Sequence, residues 1–145
     1  MRVRILAAGK LKQGPMLHLI QDYLKRCQWK IEIVELDPKA DFISHISEKE
    51  TLVLLDEKGE SLTSHCFAQF IQEMQNHQVS SLTFVIGGAN GVNSEVKKVA
   101  NYTLAFGRAT WPHMMARLML IEQLYRAEQI LKGHPYGGQR TEGRE

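Results

Sequence analysis

The groups best suited to chemistry gather in the last quarter of the chain. His113, Arg117, Glu122, Arg126 and Glu128 follow Pro112 on a stretch with helical periodicity. At about 100° per residue, His113, Arg117 and Glu128 share one polar stripe, while Glu122, Arg126 and Gln129 share a nearly opposite one. Glu122 and Arg126 stand one turn apart, a spacing at which they pair on the helix surface or serve a site together. His113, beside Pro112, is either an ordinary helix-start residue or a group that handles a proton.

A second candidate is "TFVIGGANGV", residues 83–92, where a buried strand runs into Gly87, Gly88 and Gly91. Glycines there let something come close to the backbone: a phosphate, a cofactor or the chain itself in a tight turn. A dinucleotide fingerprint needs G-x-G-x-x-G, but Ile86 fills its first position, and no Gly-Lys-Ser/Thr follows Gly91. The phosphate case is therefore weak. A turn leading into a helix capped by Asn93 or Ser94, or close approach by a cofactor, both stay open. The six histidines do not cluster at ligand spacing with cysteines or acids, so no metal is expected.

These residues need a frame, and the periodicity supplies one. Strands are expected at 3–9, 30–36, 51–56, 81–86 and 102–106, the third ended by "EKGE". An amphipathic helix opens at Pro15, with Leu17, Ile20 and Leu24 on one face. A short helix is expected within 38–50, and a longer one from Thr63 carries Phe67, Phe70, Ile71 and Met74 on one stripe. "NSEVKKVAN" reads as a short helix, and the last helix runs from Pro112 to about Leu131. Strands alternating with helices define an α/β domain with a mostly parallel sheet of five to six strands, occupying the whole chain, 1–145, as one domain. Ligands of such sheets sit at the carboxyl ends of strands, so "LLDEKGE", "IGGANG" and "AFGRATWPH" should converge.

The last helix also carries two apolar stripes: Met114, Leu118, Ile121 and Tyr125 on one, Ala116, Met119, Leu120, Ala127 and Ile130 on the other. One stripe suffices for packing on a sheet. The second implies a homodimer interface or burial on both sides within one chain. No apolar run approaches the roughly 20 residues that span a bilayer. "MRVRILAAGK" reads as a first strand rather than a signal peptide. Cys27 and Cys66, far apart, read as reduced thiols of a cytoplasmic protein. The formal net charge is only +2, but six Lys or Arg against four acids lie from Arg108 onward, and seven acids against three bases lie in 37–60. The C-terminal excess is either a solvated surface or a patch for RNA.

"FVIGGANG", Phe106-Gly107 with Thr110-Trp111-Pro112-His113, and "LIEQLYRA" (120–127), joined by "ILAAGKLK" (5–12) and "LLDEKGE" (54–60), together resemble the RlmH family over essentially the whole chain. These are small bacterial methyltransferases of the SPOUT class. The resemblance implies a C-terminal trefoil knot and a homodimer with a composite active site. It also implies methyl transfer from S-adenosylmethionine to N3 of a pseudouridine in 23S ribosomal RNA on the assembled ribosome. Carried over by position, the cofactor site takes Leu55, Gly87 and Gly88, and the run Phe106, Gly107, Arg108, Ala109, Thr110 and Trp111. Glycine at 87 and 88 would then omit Cβ atoms that hold a cofactor away. Arg126 can stabilise negative charge developing on the base. His113 or Glu122 can accept the N3 proton or orient the site, with Tyr136 completing the set.

In one place the chain departs from the family, whose members end in Tyr-His and a basic residue. Here the end reads "HPYGGQRTEGRE", with Gly137 at the histidine position and Arg140, after a Gly-Gly step, as the candidate RNA-binding basic residue. A non-catalytic or weakly active ribosome-associated α/β binding module is the alternative. A phosphate-binding enzyme is disfavoured by the incomplete glycine motifs.

Overall fold

The computed structural model describes residues 1–88, 91–92 and 94–137. Five strands form one sheet: β1 (Arg2–Ala8), β2 (Ile31–Leu36), β3 (Thr51–Ser61), β4 (Ser81–Ile86) and β5 (Tyr102–Ala105). Their order is β2-β1-β4-β3-β5, and every neighbouring pair is parallel. Four helices connect or follow them: α1 (Pro15–Arg26), α2 (Ser64–Asn76), α3 (Ser94–Val99) and α4 (His113–Lys132).

Both faces of the sheet are covered, which is why the strands read as nearly unbroken apolar runs. Alternate residues point to opposite sides. Val3, Ile5 and Ala7 of β1, with Leu82, Phe84 and Ile86 of β4, pack against Ile20 of α1, Phe67 and Ile71 of α2, and Leu120, Leu124 and Ala127 of α4. Leu6, Ala8, Leu54 and Val85 face the other way, onto Val96 of α3 and Phe42. Phe67 is the centre of an aromatic group, edge-on to Phe106 at 5.4 Å between centroids. It thereby ties α2 to the first residue after β5.

Local chemistry sets the helix ends. Thr63 Oγ1 accepts the Cys66 N–H at 3.0 Å and caps α2. Gly133, at φ 75°, ends α4 in the left-handed conformation that favours glycine. The short helix expected within 38–50 is one 3-10 turn, Phe42–His45, whose Ile43 N–H donates to Asp41 Oδ1. At α3, Ser94 is the first helical residue; the other capping candidate, Asn93, lies outside the described residues.

One expectation needs correction, and one polar stripe proves to be largely buried. First, "EKGE" does not end β3, which continues to Ser61. Leu55 and Glu60 both stand opposite Leu104, so residues 56–59 leave the β5 ladder and rejoin it. Gly59 makes this possible, because a Cβ there would lie 2.7 Å from the Thr103 carbonyl carbon and oxygen. The polar composition was that of a loop; the close return to β5 gives the run a bulged-strand geometry instead. Second, the stripe of His113, Arg117 and Glu128 is not a solvated face, since Arg117 and Glu128 are each only 2% exposed. Glu128 carboxylate oxygens accept the N–H groups of Gln28 and Trp29 at 2.8–2.9 Å, closing the connection after α1. Buried residues of α4 come from both apolar stripes, so much of the second stripe is used inside the chain, with Met115 left 40% exposed.

Candidate active site

The three strand-end loops converge as the parallel sheet requires. They surround a cavity of about 730 Å³ over the carboxyl ends of β3, β4 and β5. Leu55, Gly87, Gly88, Phe106, Gly107, Ala109, Thr110, Trp111 and His113 all line it. Ala116 and Met119, on the next turns of α4, complete the wall. Arg108, expected here, does not line it and is exposed; the 106–112 loop directs its small and apolar residues inward instead. The loop is braced by the Trp111 indole, which donates to the Phe106 carbonyl at 3.3 Å.

Of the two roles left open for the glycines, the tight turn is the one the backbone shows. A Cβ at Gly87 would meet the Gly91 carbonyl carbon at 2.6 Å and oxygen at 2.8 Å, so its own turn excludes a side chain. Gly91 N–H closes that turn onto the Gly88 carbonyl at 2.8 Å. A Cβ at Gly88 would make only near-ordinary contact, 3.4 Å from Ala8 Cβ and 3.6 Å from Pro38 Cβ. The turn and the pocket wall are therefore one object: Gly87 makes the turn, and the turn forms the wall.

The volume lies in the range of small-molecule sites, and the lining is mainly apolar with irregular backbone at its edge. Leu54, Ile86, Val92 and Leu104 make flat apolar surface, while Asp56 and Glu57 place carboxylates at the mouth. Such a site suits an aromatic base on the apolar side and a cationic group toward the acids.

A second cluster forms at the far end of α4. Glu122 Oε2 accepts the Tyr136 hydroxyl at 3.0 Å and pairs with Arg126 at 3.0 Å. Arg126 also donates to the Tyr136 carbonyl at 3.2 Å and lies over its ring at 4.8 Å. Burial, then hydrogen bonds with Tyr23 and Glu122, push the Tyr136 hydroxyl well above its ordinary pKa, so it stays protonated as a donor. The structure thus unites Glu122, Arg126 and Tyr136, but none of them lines the cavity. Nine residues of helix separate Glu122 from His113, a rise of about 13 Å. Arg140 lies outside the described residues.

Two further participants act through distant partners that local sequence does not show. Tyr23, on α1, reaches the Tyr136 hydroxyl at 3.5 Å across a separation of 113 residues. Arg117 donates to Glu35 Oε2 at 2.6 Å and to the carbonyls of Ala8 and Gly9 at 3.2 and 3.0 Å. It pins the first turns of α4 to the ends of β1 and β2. Its signal in the sequence was its place on the polar stripe with His113 and Glu128.

The family model described as "Predicted SPOUT methyltransferase" matches residues 1–137 of this chain, the span that forms the parallel sheet and the loops around the cavity. Two relatives, both named "Ribosomal RNA large subunit methyltransferase H", extend the match. The one from Sphingopyxis alaskensis is 40% identical, covering 94% of this chain and 96% of its own. The one from Zymomonas mobilis is 41% identical, covering 94% and 97%. The chain belongs to the ribosomal RNA large subunit methyltransferase H family of the SPOUT class. A solved structure of a putative methyltransferase from Legionella pneumophila in complex with the bound cofactor SAM aligns more loosely, with TM-score 0.46 and 11% identity over 86% of this chain and 66% of that one.

Proposed function

We propose that the protein methylates N3 of a pseudouridine in large-subunit ribosomal RNA, on the assembled ribosome in the cytoplasm, using S-adenosylmethionine. The observation that carries this is the convergence of three separate loops, with eight of the nine expected cofactor residues, on one cavity of suitable size. No helix among the described residues is long and apolar enough to cross a membrane.

The residues present fit the cofactor. The apolar wall of Leu54, Ile86 and Leu104 takes an adenine ring, and the backbone of 106–111 offers N–H and C=O partners to its edge. The carboxylates of Asp56 and Glu57 attract the positive amino and sulfonium groups. When bound, the cofactor supplies an electrophilic methyl group. The chain's own task is to hold the accepting nitrogen in line with it and to help its proton leave. His113, at the cavity wall, is placed to do so within one chain.

Glu122, Arg126 and Tyr136 serve the reaction through a homodimer. In one chain none of them lines the cavity, whose wall on α4 ends at Met119, one turn short of Glu122, so a second copy presents its cluster to the first copy's cofactor. Arg126 then stabilises charge on the base, held in place by Glu122 and Tyr136.

Calorimetric titration with S-adenosylmethionine tests the cofactor assignment; no heat at millimolar ligand would reject it. Mass spectrometry of ribosomal RNA from cells lacking the protein, and from cells with it restored, tests the substrate. An unchanged pseudouridine methylation state in both would reject that. Mixing Arg126→Ala subunits with Gly87→Val subunits tests the shared site: activity recovered in the mixture supports it, and none recovered overturns it.

A further inference from the structure

A second cavity, of about 580 Å³, opens beside the carboxyl ends of β1 and β2, between α1 and α4. It shares an edge of the sheet with the first cavity. The opening turns of α4 divide them: Ala116 and His113 line one, Arg117 the other. The second is two-sided in chemistry. Leu17, Ile20, Leu24 and Ile33 form its apolar wall, and Lys10, Lys12 and Arg117 surround it with positive charge against the single acid Glu35.

Two features of this cavity have no internal explanation. α1 starts just after the lining residue Gln13, with no side-chain cap and no acid in its first turn, leaving the positive end of the helix dipole unanswered. Arg117, although 2% exposed, has an Nε–H with no acceptor. Its two terminal nitrogens are engaged by Glu35, Ala8 and Gly9. Buried donors are almost always satisfied, and this one belongs to a residue of the cavity wall, adding to the positive character of that side. Leu17 is half-buried yet is not among the residues packed on the core.

We propose that this cavity holds a nucleotide of the substrate RNA close to the one being methylated. Its base lies on the apolar wall of Leu17, Ile20, Leu24 and Ile33. Its phosphate lies toward Lys10, Lys12 and the amino end of α1. The inference rests on the proposed function for the identity of the RNA, and on the cavity's own charge and shape for the binding. The centres of the cavities lie two to three strand spacings apart, on the order of 10–15 Å. A short run of single-stranded nucleotides covers that span. Sequence-selective proteins recognise RNA mainly as such splayed, unpaired bases, and phosphate contacts set their register.

The test compares full-length variants for binding of a single-stranded RNA of about seven nucleotides carrying a central pseudouridine. Lys10→Ala/Lys12→Ala removes the rim charge, Leu17→Trp fills the cavity, and Lys97→Ala/Lys98→Ala, an exposed pair on the opposite side of the sheet, serves as control. The rim variant should bind at least tenfold more weakly, with a salt dependence shallower by about 1.4 in log–log slope, as for two lost single-strand phosphate contacts. Leu17→Trp should weaken binding at an unchanged salt slope. Both should keep the wild-type melting temperature and affinity for S-adenosylmethionine. Equal effects of the rim and control pairs, or RNA affinity within twofold of wild type for both cavity variants, would overturn the proposal. So would a lost dimer at unchanged RNA affinity, since the cavity would then seat a second copy. Methyl transfer by the wild-type protein to ribosomes is measured in parallel. Its absence would reject the proposed function, while the binding comparison still decides the cavity.

Discussion

The Tyr136 hydroxyl donates to Glu122 Oε2 at 3.0 Å, joining the chain's closing turn to the middle of α4. Arg126 meets the same carboxylate and stands over the same ring. The Arg126 guanidinium is thus held on two sides, by charge and by an aromatic face. Tyr136→Phe keeps the ring and deletes the donor. It should cost about 1.5–3 kcal/mol of stability, the range for a hydrogen bond to a charged acceptor. If the cluster serves the reacting base, kcat should fall at least tenfold while cofactor affinity stays within twofold. Urea unfolding and calorimetry measure the two quantities separately.

The glycine turn predicts a sharp contrast between neighbours. Gly87→Ala forces a Cβ to 2.6 Å from backbone, so the turn must move and the cavity wall with it. Gly88→Ala meets side chains at 3.4 and 3.6 Å, which are near-ordinary contacts. The first should lower S-adenosylmethionine affinity by more than tenfold and reduce the melting temperature by several degrees. The second should change the melting temperature little. Similar losses in both would show that the turn does not set the wall.

Arg117 and Glu35 form an ion pair with one member 2% and the other 33% exposed. Breaking a fully buried pair costs about 3–5 kcal/mol when one charge is stranded. Glu35→Ala strands the buried Arg117 and also frees the Leu11 N–H, bonded to Glu35 at 2.7 Å. Because Glu35 is partly solvated, about 2–3 kcal/mol is expected. Arg117→Met leaves Glu35 free to hydrate and should cost less. Denaturant midpoints with unchanged slopes would give this ranking, and a reversed order would refute it.

The buried polar knot around Glu50 sets the acid response. Burial alone would raise its carboxyl pKa. Hydrogen bonds from Thr83, the Ser47 N–H and Arg4 outweigh that and hold it below the ordinary glutamate value. Thr83 Oγ1 and Arg4 Nη1 both reach Glu50 Oε1 at 2.5 Å. A carboxylate with a lowered folded-state pKa contributes stability that is complete above the unfolded value, about 4.3. That contribution is lost as pH falls through the folded value. Glu50→Gln should therefore lower stability at pH 7 and flatten its fall below about pH 4. An unchanged acid limb in thermal melts would contradict this role.

The order and type of elements followed from short-range physics. Apolar runs bounded by glycine gave β1 and β4, and the 3.6-residue stripe of Phe67, Ile71 and Met74 gave α2. The rule that parallel sheets bind at their carboxyl ends brought the three loops of the first cavity together before any coordinates. Three things required the tertiary structure. The bulge at 56–59 depends on Gly59 meeting Thr103, 44 positions on, and no local pattern encodes that contact. One requirement for glycine at 87 lies in the path of Gly91's backbone, which no local pattern shows. Arg117 and Glu128 stand on a polar stripe whose burial no local pattern shows, because charge normally seeks water. Their partners, the carbonyls of Ala8 and Gly9 and the N–H groups of Gln28 and Trp29, are about a hundred residues distant. Sequence by itself determined the elements and the family, because these rest on periodicity and on motifs in order. Only the folded chain decided which charges were buried and which glycines were forced, because both depend on contacts between residues far apart in the chain.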